Sequence, residues 1–397
     1  MKPSQAEKLR AWWSHQQALD GRLDGTAPAE VLPQTGWARS LGGVGPYLTL
    51  HARAGTSREA ADAAVAALSI HELPAARNCT YIVPAADFAL ALKAGAGFAN
   101  ETRTALKLGV TEMEIGKLRE SVLRALAIGP LDPDGIREAA GSAVRSLGEA
   151  GKKKGLSTTL PVALEQLQAE GEIRRVPSNG RLDQQRFRYV LWRPSPVDSW
   201  KLPPEETMVA LARRYFTWTG PATVAEFQWF SGLSAKAAKA AIEPLGLRPL
   251  APPDNDRLAF PQDLEEFHAF QVPREADYRL VSSIDAVALL RRNLKTIIDP
   301  ADMSSLVTRE RSTGELTDLP SHAIMDRGRV VGIWEYDPDA ESIPWLPFIP
   351  RNRDLEKAVA RTREYIREQL GDARSYSLDS PRSRGPRLAA LRKAAGR

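Results

Sequence analysis

The stretch "EIRRVPSNGRLDQQRFRYVLW", Glu172 to Trp192, reads as strand, turn, strand. Ile173 and Val176 open it, Pro177-Ser178-Asn179-Gly180 turns it, and Phe187, Tyr189 and Leu191 alternate on the way back. A lone hairpin is marginal in water, so what precedes it decides the fold. "TEMEIGKLRESVLRAL" (Thr111 to Leu126) has apolar residues at helical spacing behind a Thr111–Glu114 capping box. "DPDGIREAAG" (Asp132 to Gly141) starts a second helix with Pro133 in its first turn. "STTLPVALEQLQAEG" (Ser157 to Gly171) gives a third, stopped by its glycine. Three helices closed by a hairpin spell a winged helix.

Charge gathers on this unit. Arg174, Arg175, Arg181, Arg186 and Arg188 fall on and around the hairpin, and Lys152, Lys153 and Lys154 precede the third helix. From Lys152 to Arg193 nine cations meet four acids, although the whole chain carries only +5. Cations concentrated on one element point to a polyanion, and these eight residues are the expected DNA-backbone contacts. Such contacts position a protein without reading sequence.

The same order is expected on both sides. Upstream lie "QAEKLRAWWSHQQALDG" (Gln5 to Gly21), "PAEVLPQTG" (Pro28 to Gly36) and "SREAADAAVAALSI" (Ser57 to Ile70) as helices, then "HELPAARNCTYIVP" (His71 to Pro84) as two strands. Downstream, "PPEETMVALARRYF" (Pro203 to Phe216) leads into "ATVAEFQWFSGLSAKAAKAAI" (Ala222 to Ile242). That segment is a helix-turn-helix, capped by Thr223 and Ser234 and hinged at Gly232. Its second helix offers only Lys236 and Lys239 as cations, so it supplies shape more than grip. "LRPLAPPDNDRLAF" (Leu247 to Phe260) would be its wing. Beyond Asp277 the pattern changes. "HAIMDRGRVVGIWEYDPD" (His322 to Asp339) reads as a hairpin around Arg327-Gly328. "RDLEKAVARTREYIREQLG" (Arg353 to Gly371) reads as a helix with Leu355, Val359, Ile366 and Leu370 inward.

The expected fold class is therefore α+β: three tandem winged-helix modules with a C-terminal β-rich segment. The divisions are residues 1–100, 101–200 (with the basic wing), 201–275, 276–375 and a basic flexible tail, 376–397. The last part, Arg382 to Arg397, holds six cations and no acid. With 43% hydrophobic and 26% charged residues the composition is globular. No apolar run approaches the ~18 residues of a membrane span, and the start, "MKPSQAEKLRAWW", has charges where a secretion signal needs an apolar core. Cys79 is alone and the five histidines are scattered, so neither a metal nor a cofactor is expected. A cytoplasmic, nucleoid-associated monomer follows, with duplex or damaged DNA as its partner and no membrane.

Several segments carry a family likeness. "SLGGVGPYLTLHARAG" (Ser40 to Gly55), "RNCTYIVPAADF" (Arg77 to Phe88), the Ala222 to Ile242 helix-turn-helix, "LVSSIDAVALLRRN" (Leu280 to Asn293) and "AIMDRGRVVGIWEYD" (Ala323 to Asp337) occur in order. In this order they resemble a bacterial winged-helix DNA-binding family. That family includes DNA glycosylases that remove bulky alkylated bases and unhook interstrand crosslinks. The resemblance implies three winged helices curved around duplex DNA. It also implies a Gln-hydrophobic-Gln or Gln-hydrophobic-Asp pair just after Gly-Gly-Leu. Here that place reads Gly42-Gly43-Val44-Gly45-Pro46-Tyr47, and neither polar side chain of the pair stands at Gly45, Pro46 or Tyr47. Loss of an alkylated purine passes through an oxocarbenium-like state, so a site must position water and stabilise positive charge. The base leaves as a cation losing its charge, which makes a general acid dispensable; a group aimed at the water is less so. The catalytic residues are thus unknown, with Gln16, Gln17 and Gln34 as remaining glutamines nearby. The leading expectation is a DNA-binding protein acting through backbone contacts without the family's usual catalytic motif. The alternatives are a divergent glycosylase for alkylated or crosslinked bases and a transcriptional regulator.

Overall fold

The computed structural model of the chain describes residues 3–98, 100–183, 186–306 and 317–395. Helix and strand mix throughout, in the α+β class. The first segment holds α1 (Gln5–Gln16), α2 (Pro28–Thr35), β1 (Ala38–Arg39), α3 (Gly45–Ala54), α4 (Arg58–Ala66), β2 (Ile70–Pro74) and β3 (Thr80–Pro84), followed by α5 (Phe88–Gly95) and α6 (Asn100–Lys107). The middle segment runs α7 (Glu112–Leu126), α8 (Pro133–Ala140), α9 (Gly148–Lys152), α10 (Leu160–Ala169), β4 (Ile173–Pro177) and β5 (Phe187–Leu191). The third runs α11 (Pro204–Thr219), β6 (Ala222–Thr223), α12 (Val224–Ser231), α13 (Ala235–Ile242), β7 (Arg248–Pro249), β8 (Arg257–Ala259) and α14 (Pro261–Ala269).

The strand order is the same in each. The first and third sheets run β1-β3-β2 and β6-β8-β7, and in the middle Leu131 bridges Tyr189 on β5, which pairs with β4. The strand between the first two helices thus always lies beside the last strand of the hairpin. The anticipated caps form: Thr111 and Thr223 each take the backbone N–H three residues on, while Glu114 and Glu226 return the bond. The helix-turn-helix buries Phe227, Phe230, Ala238 and Ile242 in one core with α11 and α5.

The C-terminal part contains β9 (Tyr278–Val281), the short α15 (Ala286–Leu289), β10 (His322–Asp326), β11 (Arg329–Trp334), β12 (Trp345–Pro347), α16 (Arg353–Tyr365) and α17 (Pro381–Ala395). Its antiparallel sheet runs β12-β11-β10-β9. Arg327 and Gly328 both take positive φ, as a tight two-residue hairpin requires. A Cβ on Gly328 would run into the backbone oxygen of Arg10, so only glycine lets the turn rest on α1.

Two elements differ from expectation. α1 does not pack with α2, α3 and α4 as the first helix of the expected first module. It packs on the third segment instead, with Trp12 Nε1 donating to Gly220 O at 2.9 Å and Trp13 Nε1 to Pro221 O at 3.2 Å. Both indoles are buried, so both N–H groups need an acceptor, and this backbone supplies them. The tail expected to be flexible is a docked helix. Arg384 is buried and forks onto Asp372 at 2.6 and 3.0 Å. Arg387 reaches Glu335 and Asp379 at 2.8 Å each, and Arg392 pairs with Asp337. Three of the cations that read as solvent-seeking, Arg384, Arg387 and Arg392, find carboxylates on the C-terminal part.

The segments meet at a buried ion pair. Arg53 on α3 grips Asp285 with both terminal nitrogens, at 2.7 and 2.8 Å, and neither side chain has solvent exposure. Asp285 also caps α15 through Val287 N at 2.9 Å and accepts from Thr49 Oγ1 at 3.2 Å. Gln17, one of the glutamines considered for catalysis, is consumed here: its Oε1 accepts from Arg53 and its Nε2 donates to Trp218 O, both at 2.9 Å. Removing one partner strands a buried charge, which costs about 3–5 kcal/mol. Arg53→Ala and Asp285→Ala are each expected to lower unfolding free energy by that amount in a urea titration. A loss near that of an exposed ion pair, below about 1 kcal/mol, would contradict this role.

Candidate nucleic-acid interface

A cleft opens between the first sheet and the middle segment. One part, about 440 Å³, is walled by Thr80, Glu101, Arg137, Leu164, Glu165 and Arg175. An adjoining part, about 450 Å³, lies among Ser40, Glu72, Thr80, Arg175, Phe187 and Tyr376. Arg175 and Thr80 line both. A larger hollow, about 780 Å³, sits beneath α1, but its Arg10, Arg327 and Arg329 are neutralised by Asp299, Asp326 and Asp302.

Strand alternation sorts the hairpin arginines. Arg175 lies opposite Tyr189 on the inner face, its guanidinium 5.0 Å from the Phe187 ring centre and its Nη2 3.5 Å from Glu72 Oε2. Arg174 pairs across from Val190, and Arg188 across from Val176, so both stand on the opposite face, diagonally adjacent. Burial holds Arg174 below its ordinary arginine value. His71 is pushed down to about 3, first by burial and then by Arg174 and Arg175, so its ring is neutral. Arg181 turns away to the protein, forking onto Asp183 at 2.9 and 2.5 Å and donating to Leu370 O. Lys152 pairs with Glu149 at 2.8 Å on the exposed side of α9. Lys153, Lys154, Arg186 and Arg188 are exposed, and among the described residues no carboxylate lies within ion-pair distance of them or of Arg174.

Gly45, Pro46 and Tyr47 are all buried at the start of α3. A Cβ on Gly45 would meet Ile284 at 2.6 Å, and Val44 N donates to Arg374 O at 2.9 Å. The Tyr47 hydroxyl donates to Asp62 Oδ1 at 2.5 Å and accepts from Leu182 N at 2.8 Å. Burial raises the phenol well above its ordinary value, so it stays protonated. This place joins the hairpin to the first segment. Gln34 is held by Arg22 at 3.0 Å on the surface.

The carboxylates of the cleft were not singled out from sequence. Ser40 Oγ donates to Glu72 Oε1 at 2.5 Å. Glu165 Oε1 accepts from Asn78 Nδ2 at 3.0 Å, and its Oε2 accepts from Thr102 N at 3.1 Å and Thr102 Oγ1 at 3.3 Å. Burial, then the neighbouring Glu101, pushes Glu165 up to about 7. A signal existed for Glu72: it interrupts β2, whose residues Ile70, His71 and Leu73 are buried, and an acid in such a strand needs partners.

Two outcomes follow from this geometry. Tyr47→Phe leaves Leu182 N–H without an acceptor, which costs about 1–3 kcal/mol for a buried donor; faster amide exchange at Leu182 and a lower melting temperature are expected. Glu165 holds its proton more tightly folded than unfolded, where the ordinary value is 4.5. Its contribution is therefore fully present below about pH 4.5, declines as pH rises toward 7, and is lost above. Chemical denaturation at several pH values should show a steeper decline between about pH 4.5 and 7 in the native protein than in Glu165→Gln.

Comparison with known proteins agrees with this architecture. A family model described as DNA glycosylase AlkZ-like matches residues 43–374. The solved structure of Streptomyces sahachiroi DNA glycosylase AlkZ superposes with a TM-score of 0.70 at 21% identity, over 95% of this chain and 99% of that one. No curated protein matches. With the match spanning most of its length, the chain belongs to the AlkZ-like DNA glycosylase family.

Proposed function

We propose that this protein binds duplex or damaged DNA as a cytoplasmic monomer, using three winged-helix modules and holding the phosphate backbone chiefly from the middle one. The observation that carries this reading is the pair Arg174 and Arg188. Two like charges stand diagonally on one sheet face with no carboxylate in ion-pair distance among the described residues. Such a pair is repulsive in the free protein and is relieved by phosphate. Arg186, Lys153 and Lys154 extend the set. Arg175, Arg181 and Lys152 already have acid partners and contribute less.

A second reading, excision of an alkylated base, draws on family membership and on the carboxylates of the cleft. In this reading the place where the resemblance implies a Gln-hydrophobic-Gln pair holds Gly45, Pro46 and Tyr47, which are buried, so the chemistry falls to other side chains.

Binding to a labelled 25-mer duplex is to be followed by anisotropy across salt. Affinity is expected to fall steeply with salt, with little sequence preference. Replacing Lys153, Lys154, Arg174, Arg186 and Arg188 by alanine should weaken it and reduce the log–log salt slope by about 0.9 for each phosphate no longer neutralised. Affinity and slope unchanged in that variant would overturn the assignment.

A further inference from the structure

The cleft contains one carboxylate arranged differently from the rest. Glu165 has both oxygens occupied, by Asn78 and by Thr102, and is drawn toward its neutral form. Glu72 has one oxygen fixed. Ser40 Oγ–H holds Oε1 at 2.5 Å, and Ser40 is itself buried, so the carboxylate plane is set by a group that cannot wander. The other oxygen, Oε2, lies 3.5 Å from Arg175 Nη2, close enough for attraction but too long to occupy its lone pairs as a hydrogen bond would. Arg175 Nε is buried without a hydrogen-bond partner, a donor that the protein itself does not satisfy. Glu72 lines the 450 Å³ part of the cleft beside Phe187 and Tyr376, and volumes of this size accept small planar ligands.

Resting on the excision reading above, we infer that Glu72 is the catalytic base of this protein, activating water against C1′ of a deoxynucleotide whose N-alkylated, cationic purine is turned into the cleft. Ser40 is its positioning residue. In the step, the C1′–N bond breaks and its electron pair leaves with the base, cancelling the positive charge of the purine. Water oxygen bonds to C1′, and one water proton passes to Glu72 Oε2. The products are a neutral free base, an abasic sugar and a protonated carboxyl that later releases its proton to solvent. No acid is needed for the departing base, since it leaves neutral. The negative carboxylate also faces the positive charge that develops on the sugar. Extrusion of the base places the reacting carbon within the protein surface.

The test is single-turnover release of N7-methylguanine from a duplex containing it, with enzyme in excess and binding measured on the same duplex. The native protein should form abasic sites. Glu72→Gln should lower the rate by about 100-fold or more, the usual contribution of a general base, while affinity is retained. Ser40→Ala should lower it less. In Glu72→Ala, added formate should restore rate, which a merely structural role would not allow. Equal rates for native and Glu72→Gln protein would overturn the assignment. So would a Glu72→Ala protein that melts early and ignores formate. No release by the native protein, with salt-dependent binding intact, would remove this inference and leave the DNA-binding proposal standing.

Discussion

Arg53 and Asp285 hold the molecule to one shape. A guanidinium and a carboxylate without solvent exposure tolerate each other only when well matched; here both terminal nitrogens of Arg53 and both oxygens of Asp285 are engaged, while Arg53 Nε has no partner. The contacts come from four parts of the chain: α3 gives Arg53, the C-terminal part gives Asp285, Gln17 follows α1, and Trp218 O belongs to α11. Sliding any of them leaves a charge unmatched. The pair sets orientation more than it adds net stability, because hydrophobic burial could replace its energy but not its geometry. The helix that carries Arg53, α3, packs on β1 of the first sheet, which forms one wall of the cleft.

The cations of the middle segment divide into two groups. Arg175 and Arg181 are drawn into the protein by Glu72 and Asp183, and one shapes the cleft while the other fastens the hairpin. Arg174, Arg186 and Arg188 keep their charge available. The cleft itself carries Glu72, Glu101 and Glu165 beside Arg137 and Arg175, which a plain phosphate groove would not need. In the proposed roles, the outer cations carry affinity and the inner mixed-charge hollow carries chemistry.

Much of the architecture was legible because it is local. Capping residues Thr111 and Thr223, the stop at Gly171 and the Arg327-Gly328 turn each act within a few residues, and each forms as read. What failed was non-local. Nothing in "QAEKLRAWW" says that both indoles find acceptors more than 200 residues away, at Gly220 and Pro221. Nothing in "RSRGPRLAALRK" names Asp372, Glu335 or Asp379 as its partners. The cleft shows the same limit. Positive charge is visible as composition, but whether an arginine is spent internally depends on an acid elsewhere in the chain. Glu72 and Ser40 are 32 positions apart and become a pair only through the β1-β3-β2 sheet.

The hydroxyl of Tyr47 gives the hairpin a fixed pose, since it joins Leu182 to Asp62 while Arg181 ties the same turn to Leu370. A wing left free would have to be ordered by its ligand at the moment of binding. In the proposed binding, the turn around Arg181 and Leu182 is already placed by folding, so its ordering need not be supplied by the ligand. In the proposed binding, a duplex that bends easily would fit this surface at lower deformation energy.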